Sequence, residues 1–267
     1  MLILRILSAI IGIPIVLGVV YLGGPWFAIF VLFVALLATY EYNKLVNRQI
    51  LQGTTVLVYL GVTLLIAIIY CKQFVLLYHF IMLLFFVLGI YILFNAEKKS
   101  TQEAALSLWG IIYIGGLLGY MILLREMADG MLYMYLLLGG VWIHDTLAYF
   151  VGVRWGSHRI APAISPKKSV EGSLAGIGGA LVIFFSVSIF APDLIKVNPG
   201  GALILSLGIS IFGQLGDLLE SALKRQIGVK DSGALIPGHG GVLDRFDSMM
   251  LAAPFVYYFF VLVDLLQ

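Results

Sequence analysis

Apolar residues follow one another along this chain in runs of close to twenty, separated by short polar segments. A helix of about 20 residues crosses the roughly 30 Å hydrocarbon core of a bilayer, so nine such runs predict nine spans. Their predicted bounds are Leu2–Leu22, Trp26–Val46, Thr54–Tyr70, Phe74–Phe94, Ala104–Leu124, Met131–Val153, Leu174–Phe190, Ala202–Leu219 and Met249–Leu266. The pattern therefore predicts an all-α, polytopic integral membrane protein with about nine transmembrane helices.

The composition excludes a soluble globule. Of the 267 residues, 61% are hydrophobic and only 11% are charged, whereas soluble domains carry about 25% charged residues. The single cysteine, Cys71, excludes an intrachain disulfide and a cysteine-based metal centre, and we expect it to be a small residue near a helix end. The first run is too long for a signal-peptide core and lacks a cleavage site, which favours a retained first helix.

The basic residues predict an orientation. With the N-terminus inside and the C-terminus outside, 13 of the 16 Lys and Arg residues fall on the inner side and only Lys72, Arg125 and Lys196 on the outer side. This is the asymmetry expected of cytoplasmic loops. Polar residues concentrate in the second half, so we divide the chain into a scaffold of about five helices, residues 1–130, and a catalytic region, residues 131–267, with cytoplasmic loops 154–173 and 220–248.

Carboxylates near the inner ends of two predicted spans are candidate functional groups. Asp217, Glu220, Ser221 and Lys224 are spaced to share one helix face. We expect Glu220 to pair with Lys224, whereas Asp217 follows an apolar run, where a carboxylate needs a partner or an ion. Asp145 lies roughly 12 Å from the inner end of its span, with a buried ion pair as the alternative. The adjacent His144 is expected to be a satisfied core histidine.

Two inner loops carry the remaining polar residues. In the first, a predicted turn at Ser165-Pro166 presents Lys167 and Lys168 either as membrane anchors or as polyphosphate ligands. In the second, four cations alternate with three carboxylates: Lys224, Arg225, Lys230 and Arg245 with Asp231, Asp244 and Asp247. Nearby glycines allow close approach of the backbone to an anion. Hard carboxylates with no cysteine nearby favour Mg²⁺, so the loop predicts phosphoryl or nucleotidyl transfer at the membrane surface.

The second loop also resembles a family signature. It reads Ser221-x-Leu223-Lys224-Arg225, then Lys230-Asp231, then Pro237-x-His239-Gly240-Gly241, then Asp244-Arg245-x-Asp247. This run is similar to the signature of the CDP-diacylglycerol synthase (phosphatidate cytidylyltransferase) family. The upstream strings DTLAYFVG and SPKKSVEG also resemble that family, with Ser169 where a threonine is expected. The resemblance covers about Trp142 to Pro254, while the first five spans match only in hydropathy.

The resemblance implies the reaction of CTP with phosphatidate to give CDP-diacylglycerol and pyrophosphate. It implies Mg²⁺ on Asp217, Asp244 and Asp247, and leaves open a second, monovalent cation. The expected catalytic residues are Asp217, Asp244, Lys167 and His239. The expected substrate-binding residues are Asp145, Lys168, Ser221, Lys224, Arg225, Lys230, Asp231 and Arg245. It further implies a homodimer in the cell (inner) membrane, with no nucleic-acid partner and with the active site facing the cytoplasm.

Three other functional classes compete with this interpretation. A secondary transporter also has buried acids, but here the charges cluster at one face instead of the midplane, and no second half repeats the first. A CDP-alcohol phosphotransferase would need a D-G-x-x-A-R string, which this sequence lacks. A purely structural scaffold leaves the signature unexplained.

Overall fold

A computed structural model of the chain describes residues 2–47, 53–96, 99–229, 232, 233, 235 and 240–266. Within these ranges the chain is almost wholly helical. The helices are α1 (Leu2–Leu22), α2 (Gly24–Asn47), α3 (Thr55–Tyr70), α4 (Phe74–Phe94), α5 (Ser100–Gly110), α6 (Leu117–Arg125), α7 (Gly130–Trp155), α8 (Val170–Phe190), α9 (Pro199–Gln226) and α10 (Leu243–Leu266). A π-helical segment, Ile111–Gly116, joins α5 to α6, and a 3₁₀ turn, Pro192–Leu194, precedes α9.

Each predicted apolar run coincides with a helix or with the continuous segment Ser100–Arg125. Among the described residues, seven helical segments are long and apolar enough to cross a membrane, while Ile10–Leu22 and Thr55–Tyr70 are shorter apolar helices. The structure thus supports an all-α integral membrane protein. The count of nine spans and the orientation stay predictions.

The predicted turn at Ser165-Pro166 is wrong. Residues Ser165–Ser169 form a strand, β2, which pairs antiparallel with β1 (Arg159–Ala161). The chain instead turns at residues 162–164, where the Ile164 amide donates to the Ala161 carbonyl at 3.1 Å. Proline is tolerated here because each strand of a two-stranded sheet has an open edge that needs no backbone donor.

The first of two compact units contains Met1–Glu126 and Ile227–Arg245. Its core is formed by α2 and α3 packed against the segment from α5 to α6. Tyr42 on α2 is fully buried and donates its hydroxyl to the Leu106 carbonyl at 2.8 Å. Residues Ile227–Arg245 of the second polar loop, here called the signature loop, thus group with the N-terminal helices, which we expected to be a scaffold.

The second unit contains Met127–Gln226 and Phe246–Gln267, and its core is formed by α7, α8 and α9. Helix α8 begins after β2 because Ser169 caps it, accepting a hydrogen bond from the Gly172 amide at 3.2 Å. Helix α8 passes close to α7 at Gly172 and Gly176, where a Cβ atom would collide with the α7 backbone. Small residues allow this close approach of apolar helices.

Candidate active site

A cavity of about 550 Å³ lies in the second unit, between α7, α8, α9 and the strand β2. Its polar lining includes four residues predicted for the site, namely Asp145, Lys167, Lys168 and Asp217. Its apolar lining includes Tyr149 and Val153, which are 66% and 72% exposed. The cavity lining therefore combines charged side chains with exposed apolar ones.

Among the charged side chains of the cavity, Asp217 on α9 contacts two other polar residues. Its Oδ2 lies 2.6 Å from Lys168 Nζ, and its Oδ1 accepts a hydrogen bond from Ser221 Oγ at 3.2 Å. Both partners of the ion pair are partly exposed to the cavity. Strand β2 presents Lys167 and Lys168 next to one another, and Arg159 donates to the Lys167 carbonyl at 3.0 Å, which fixes the strand. The position of Asp217 in an apolar span predicted that its carboxylate needs a partner or an ion. The structure gives it Lys168 as a partner and places it in the cavity lining.

Asp247 supplies a second carboxylate near Asp217. It is buried at the start of α10, where the Ser248 amide donates to its Oδ1 at 2.6 Å. The charge of Asp217 repels that of Asp247, and the charges of Lys224 and Lys168 each offset only part of this repulsion. Gly216 lets α10 pass close to α9, since a Cβ atom there would collide with the Asp247 carbonyl. The second unit therefore brings together two of the three predicted metal ligands.

This donor set fits Mg²⁺. Among the described residues there is no group of three or more His, Cys, Asp or Glu side chains that could hold a metal ion. Mg²⁺, however, commonly takes only one or two protein carboxylates and completes its octahedral shell with substrate phosphates and water. Asp217 and Asp247 provide this number of hard oxygen ligands.

The expected pair of Glu220 and Lys224 is confirmed. The Lys224 ammonium donates to the Glu220 carboxylate, and both side chains are buried. Arg225, one residue further on, is exposed and donates from Nε to the Ile164 carbonyl at 3.1 Å. Arg225 therefore contacts the first polar loop, and a role of Lys224 or Arg225 in binding phosphate stays a prediction.

The expectation for His144 is wrong in part. The side chain is buried, with 4% exposure, but its Nδ1 atom has no hydrogen-bond partner among the residues that the structure describes, and the residue lines the cavity. Two further polar residues of the cavity escaped the sequence analysis, Ser173 and Gln214, which are hydrogen-bonded to each other. Gln214 lies one helical turn before Asp217, so its place on the same face was a usable signal.

The signature loop of the first unit is held by carboxylates. Asp244 Oδ2 accepts hydrogen bonds from the amides of Ser232 (3.1 Å) and Gly241 (2.9 Å). The backbone at Gly240 has a φ of 88°, which favours glycine. Arg245 is exposed. Three predicted site residues, Lys230, Asp231 and His239, lie outside the described residues.

Sequence analysis missed a buried glutamate of this unit that contacts the loop. Glu41 on α2 is fully buried and accepts hydrogen bonds from the amides of Val242 (3.0 Å) and Leu243 (2.8 Å) and from the Ser232 hydroxyl (3.2 Å). A glutamate near the C-terminal end of the predicted span Trp26–Val46 was a visible signal, but it lies about 200 positions from its partners.

The sequence profile described as the cytidylyltransferase family matches residues 3–263 of this chain. A phosphatidate cytidylyltransferase of Staphylococcus epidermidis is 36% identical over 256 residues, covering 94% of this chain and 95% of that protein. Phosphatidate cytidylyltransferases of Staphylococcus haemolyticus and Staphylococcus aureus are 36% and 35% identical over the same shares of each chain. These similarities confirm the resemblance drawn from the signature. The chain belongs to the cytidylyltransferase family and is a nucleotidyltransferase.

Proposed function

We propose that this protein transfers the cytidylyl group of CTP to phosphatidate, forming CDP-diacylglycerol and pyrophosphate in a Mg²⁺-dependent reaction of phospholipid synthesis. The names of the similar proteins support the substrates. The observation in the structure that carries the proposal is the cavity of the second unit, whose lining combines charged side chains with exposed apolar ones.

The cavity suits an amphipathic lipid phosphate. Lys167 and Lys168 offer two cations to a phosphate inside the cavity, while Tyr149 and Val153 are exposed at its rim, where acyl chains can remain in the bilayer. A soluble sugar or nucleotide alone would gain nothing from the apolar rim. The combination therefore favours a phospholipid with a small anionic headgroup.

The chemistry requires little help from a base. A phosphate oxygen of phosphatidate is already an anion and attacks the α-phosphorus of CTP. The bond from the α-phosphorus to the oxygen that bridges the α- and β-phosphates breaks, and pyrophosphate leaves with that electron pair. The main obstacle is the repulsion between two anions, which the cations around Asp217 reduce by electrostatic stabilisation.

Asp217 and Asp247 are the proposed metal ligands in the second unit. Mg²⁺ held there would neutralise charge on the phosphate oxygens in the transition state. Asp244 is proposed as a metal ligand from its position in the signature alone. On the same basis Asp145, Ser221, Lys224, Arg225, Lys230, Asp231, His239 and Arg245 are proposed to contact or orient the substrates.

For the topology we propose nine spans with the N-terminus and both polar loops in the cytoplasm, as the distribution of Lys and Arg favours. Cys71 is an exposed, naturally unique thiol on the proposed outer side. A membrane-impermeant maleimide should label it in intact cells, whereas a cysteine placed at exposed Ser157 in a Cys71→Ser background should react only in inverted vesicles. The reverse pattern would overturn the orientation. The homodimer stays a prediction.

The decisive experiment measures pyrophosphate release by the detergent-purified protein. CTP, phosphatidate and Mg²⁺ are omitted in turn, and ATP replaces CTP as the nucleotide control. We expect release only with all three components, together with a CDP-lipid product. If folded protein releases no pyrophosphate in any combination, the proposed function is wrong, and cation-dependent uptake by proteoliposomes would then favour a transporter.

A further inference from the structure

Glu41 is placed unusually for a residue of an N-terminal membrane helix. Its Oε1 accepts from the Val242 amide at 3.0 Å, and its Oε2 accepts from the Leu243 amide at 2.8 Å and the Ser232 hydroxyl at 3.2 Å. Both amides stand at the beginning of α10, where the backbone N–H groups have no partner within the helix. Glu41 thus caps a helix that begins about 200 residues later in the chain.

The buried charge of Glu41 is stabilised by these donors. A carboxylate removed from water costs several kcal/mol unless its charge and lone pairs are compensated. None of the ion pairs found among the described residues includes Glu41. Two helix-start amides, a hydroxyl and the positive end of the helix dipole supply the compensation. Losing the carboxylate would leave these donors buried without their acceptor.

The glycines of the loop make room for this carboxylate. A Cβ atom on either Gly233 or Gly241 would collide with the side chain of Glu41. We had interpreted Gly241 as allowing close approach of the backbone to a phosphate. The structure gives it a second reason, since the Ser232 hydroxyl and the Glu41 carboxylate together occupy the space that a side chain would need.

Glu41 and Asp244 hold the same two loop residues. Ser232 donates its hydroxyl to Glu41 and its amide to Asp244. Gly241 donates its amide to Asp244 while its Cα faces Glu41. A shift of Glu41 would therefore move the groups that orient Asp244, the residue proposed to bind the metal of the nucleotide.

We propose that Glu41 is a positioning residue for the nucleotide: it fixes the signature loop so that Asp244 and Arg245 are presented in their working orientation. The inference rests on the proposed cytidylyl transfer, because the loop's ligand is taken to be the triphosphate of CTP with its metal. It assigns a catalytic contribution to the N-terminal half, through a residue that touches no substrate.

The test compares Glu41→Gln with Glu103→Gln. Glu103 is the matched control because it is a second buried glutamate of the same unit, on α5, and accepts a hydrogen bond from the Tyr91 hydroxyl instead of the loop. The Michaelis constant and turnover are measured for CTP at saturating phosphatidate, and for phosphatidate at saturating CTP. We expect Glu41→Gln to lower kcat/KM for CTP at least about tenfold. The KM for phosphatidate should stay within about twofold, and Glu103→Gln should change neither by more than about twofold.

Two results would overturn the proposal. One is a kcat/KM for CTP in Glu41→Gln within about twofold of the unmodified protein. The other is a loss of kcat/KM that is equal for both substrates and proportional to the loss of folded protein, because a merely structural role would act in this way. If Glu41→Gln does not fold, Ser232→Ala and Gly233→Ala disturb the same contact while leaving the glutamate in place, and the same selective loss for CTP is expected from each.

A second readout separates this proposal from the proposed function. Hydrogen exchange at the amides of Val242 and Leu243 should be at least about tenfold faster in Glu41→Gln and unchanged in Glu103→Gln. If the unmodified protein makes no CDP-lipid, the proposed function fails while the exchange result still decides whether Glu41 holds the loop. Unchanged exchange in Glu41→Gln would show that it does not.

Discussion

The two polar loops of this protein are each held by one glutamate, but in different ways. In the first loop, Glu171 accepts from the amides of Ser157 and His158 at 3.1 to 3.2 Å and lies 2.6 Å from the His158 ring. It is only 13 or 14 residues from these partners and its side chain is 27% exposed. In the second, Glu41 is fully buried and lies 191 to 202 residues from its partners.

This difference has an energetic consequence. Amides released by the partly exposed Glu171 can bond to water, so losing its carboxylate costs little beyond the contact itself. Amides released by the buried Glu41 cannot reach water in place. Because unsatisfied buried donors are costly, the loop would have to move. We therefore expect substitution of Glu171 in the first loop to reduce activity slightly, and substitution of Glu41 at the second loop to reduce it strongly.

The largest effect should come from removing one carboxylate at each loop. Asp217 pairs with Lys168 of the first loop, and Asp244 orders the second. Asp217→Asn and Asp244→Asn should each lower turnover at least about a hundredfold without unfolding, because each removes negative charge proposed to bind Mg²⁺. Steady-state kinetics with thermal melts in detergent measure both quantities. Near-normal turnover in either variant would refute the metal assignment for that residue.

A smaller effect is expected when the glutamate of the first loop is changed. Glu171→Gln keeps one acceptor oxygen in a partly exposed place, so its loop should loosen only slightly. We expect kcat/KM for phosphatidate to fall about threefold and kcat/KM for CTP to stay unchanged. By comparison, Glu41→Gln is expected to lower kcat/KM for CTP about tenfold or more. A loss for Glu171→Gln as large as that for Glu41→Gln would remove the distinction between the two loops.

Sequence patterns predicted those features of the fold that depend on neighbouring residues. The positions of the helices follow from continuous apolar runs, although α9 continues to Gln226, beyond the predicted end at Leu219, and the pair of Glu220 and Lys224 follows from helical spacing. The capping of α8 by Ser169 is equally local, although the sequence analysis did not predict it. These features need no knowledge of the tertiary fold.

Contacts between distant residues escaped the sequence analysis. Nothing in the sequence around Glu41 reveals that its acceptors face the start of α10, because that contact is made only by folding. The strand at Ser165–Ser169 was missed because proline favours turns unless an open sheet edge tolerates it. The cavity-lining place of His144 likewise depends on how α8 packs against α7.

A modest effect is expected at the cap that joins the first loop to α8. Ser169→Ala removes the side-chain acceptor for the Gly172 amide and should lower the free energy of unfolding by about 1 kcal/mol. Ser169→Thr keeps a hydroxyl and should be nearly neutral. Thermal melts of the two variants in one detergent measure the difference. Equal melting temperatures for alanine and threonine would show that the cap does not stabilise this junction.

The smallest effect on stability and activity should come from breaking an exposed ion pair. Glu126 lies 3.8 Å from Lys72, with side-chain exposures of 29% and 55%. Water screens this pair and solvates each partner after separation, so Lys72→Ala should change stability by less than about 1 kcal/mol and leave kinetics unaltered. Comparing the melting temperature and turnover of Lys72→Ala with those of Glu41→Gln tests whether burial decides how much a carboxylate contact contributes. If the exposed ion pair proves as important as the buried Glu41 carboxylate, whose donors among the described residues are all neutral, burial does not explain the strong effect expected at the second loop.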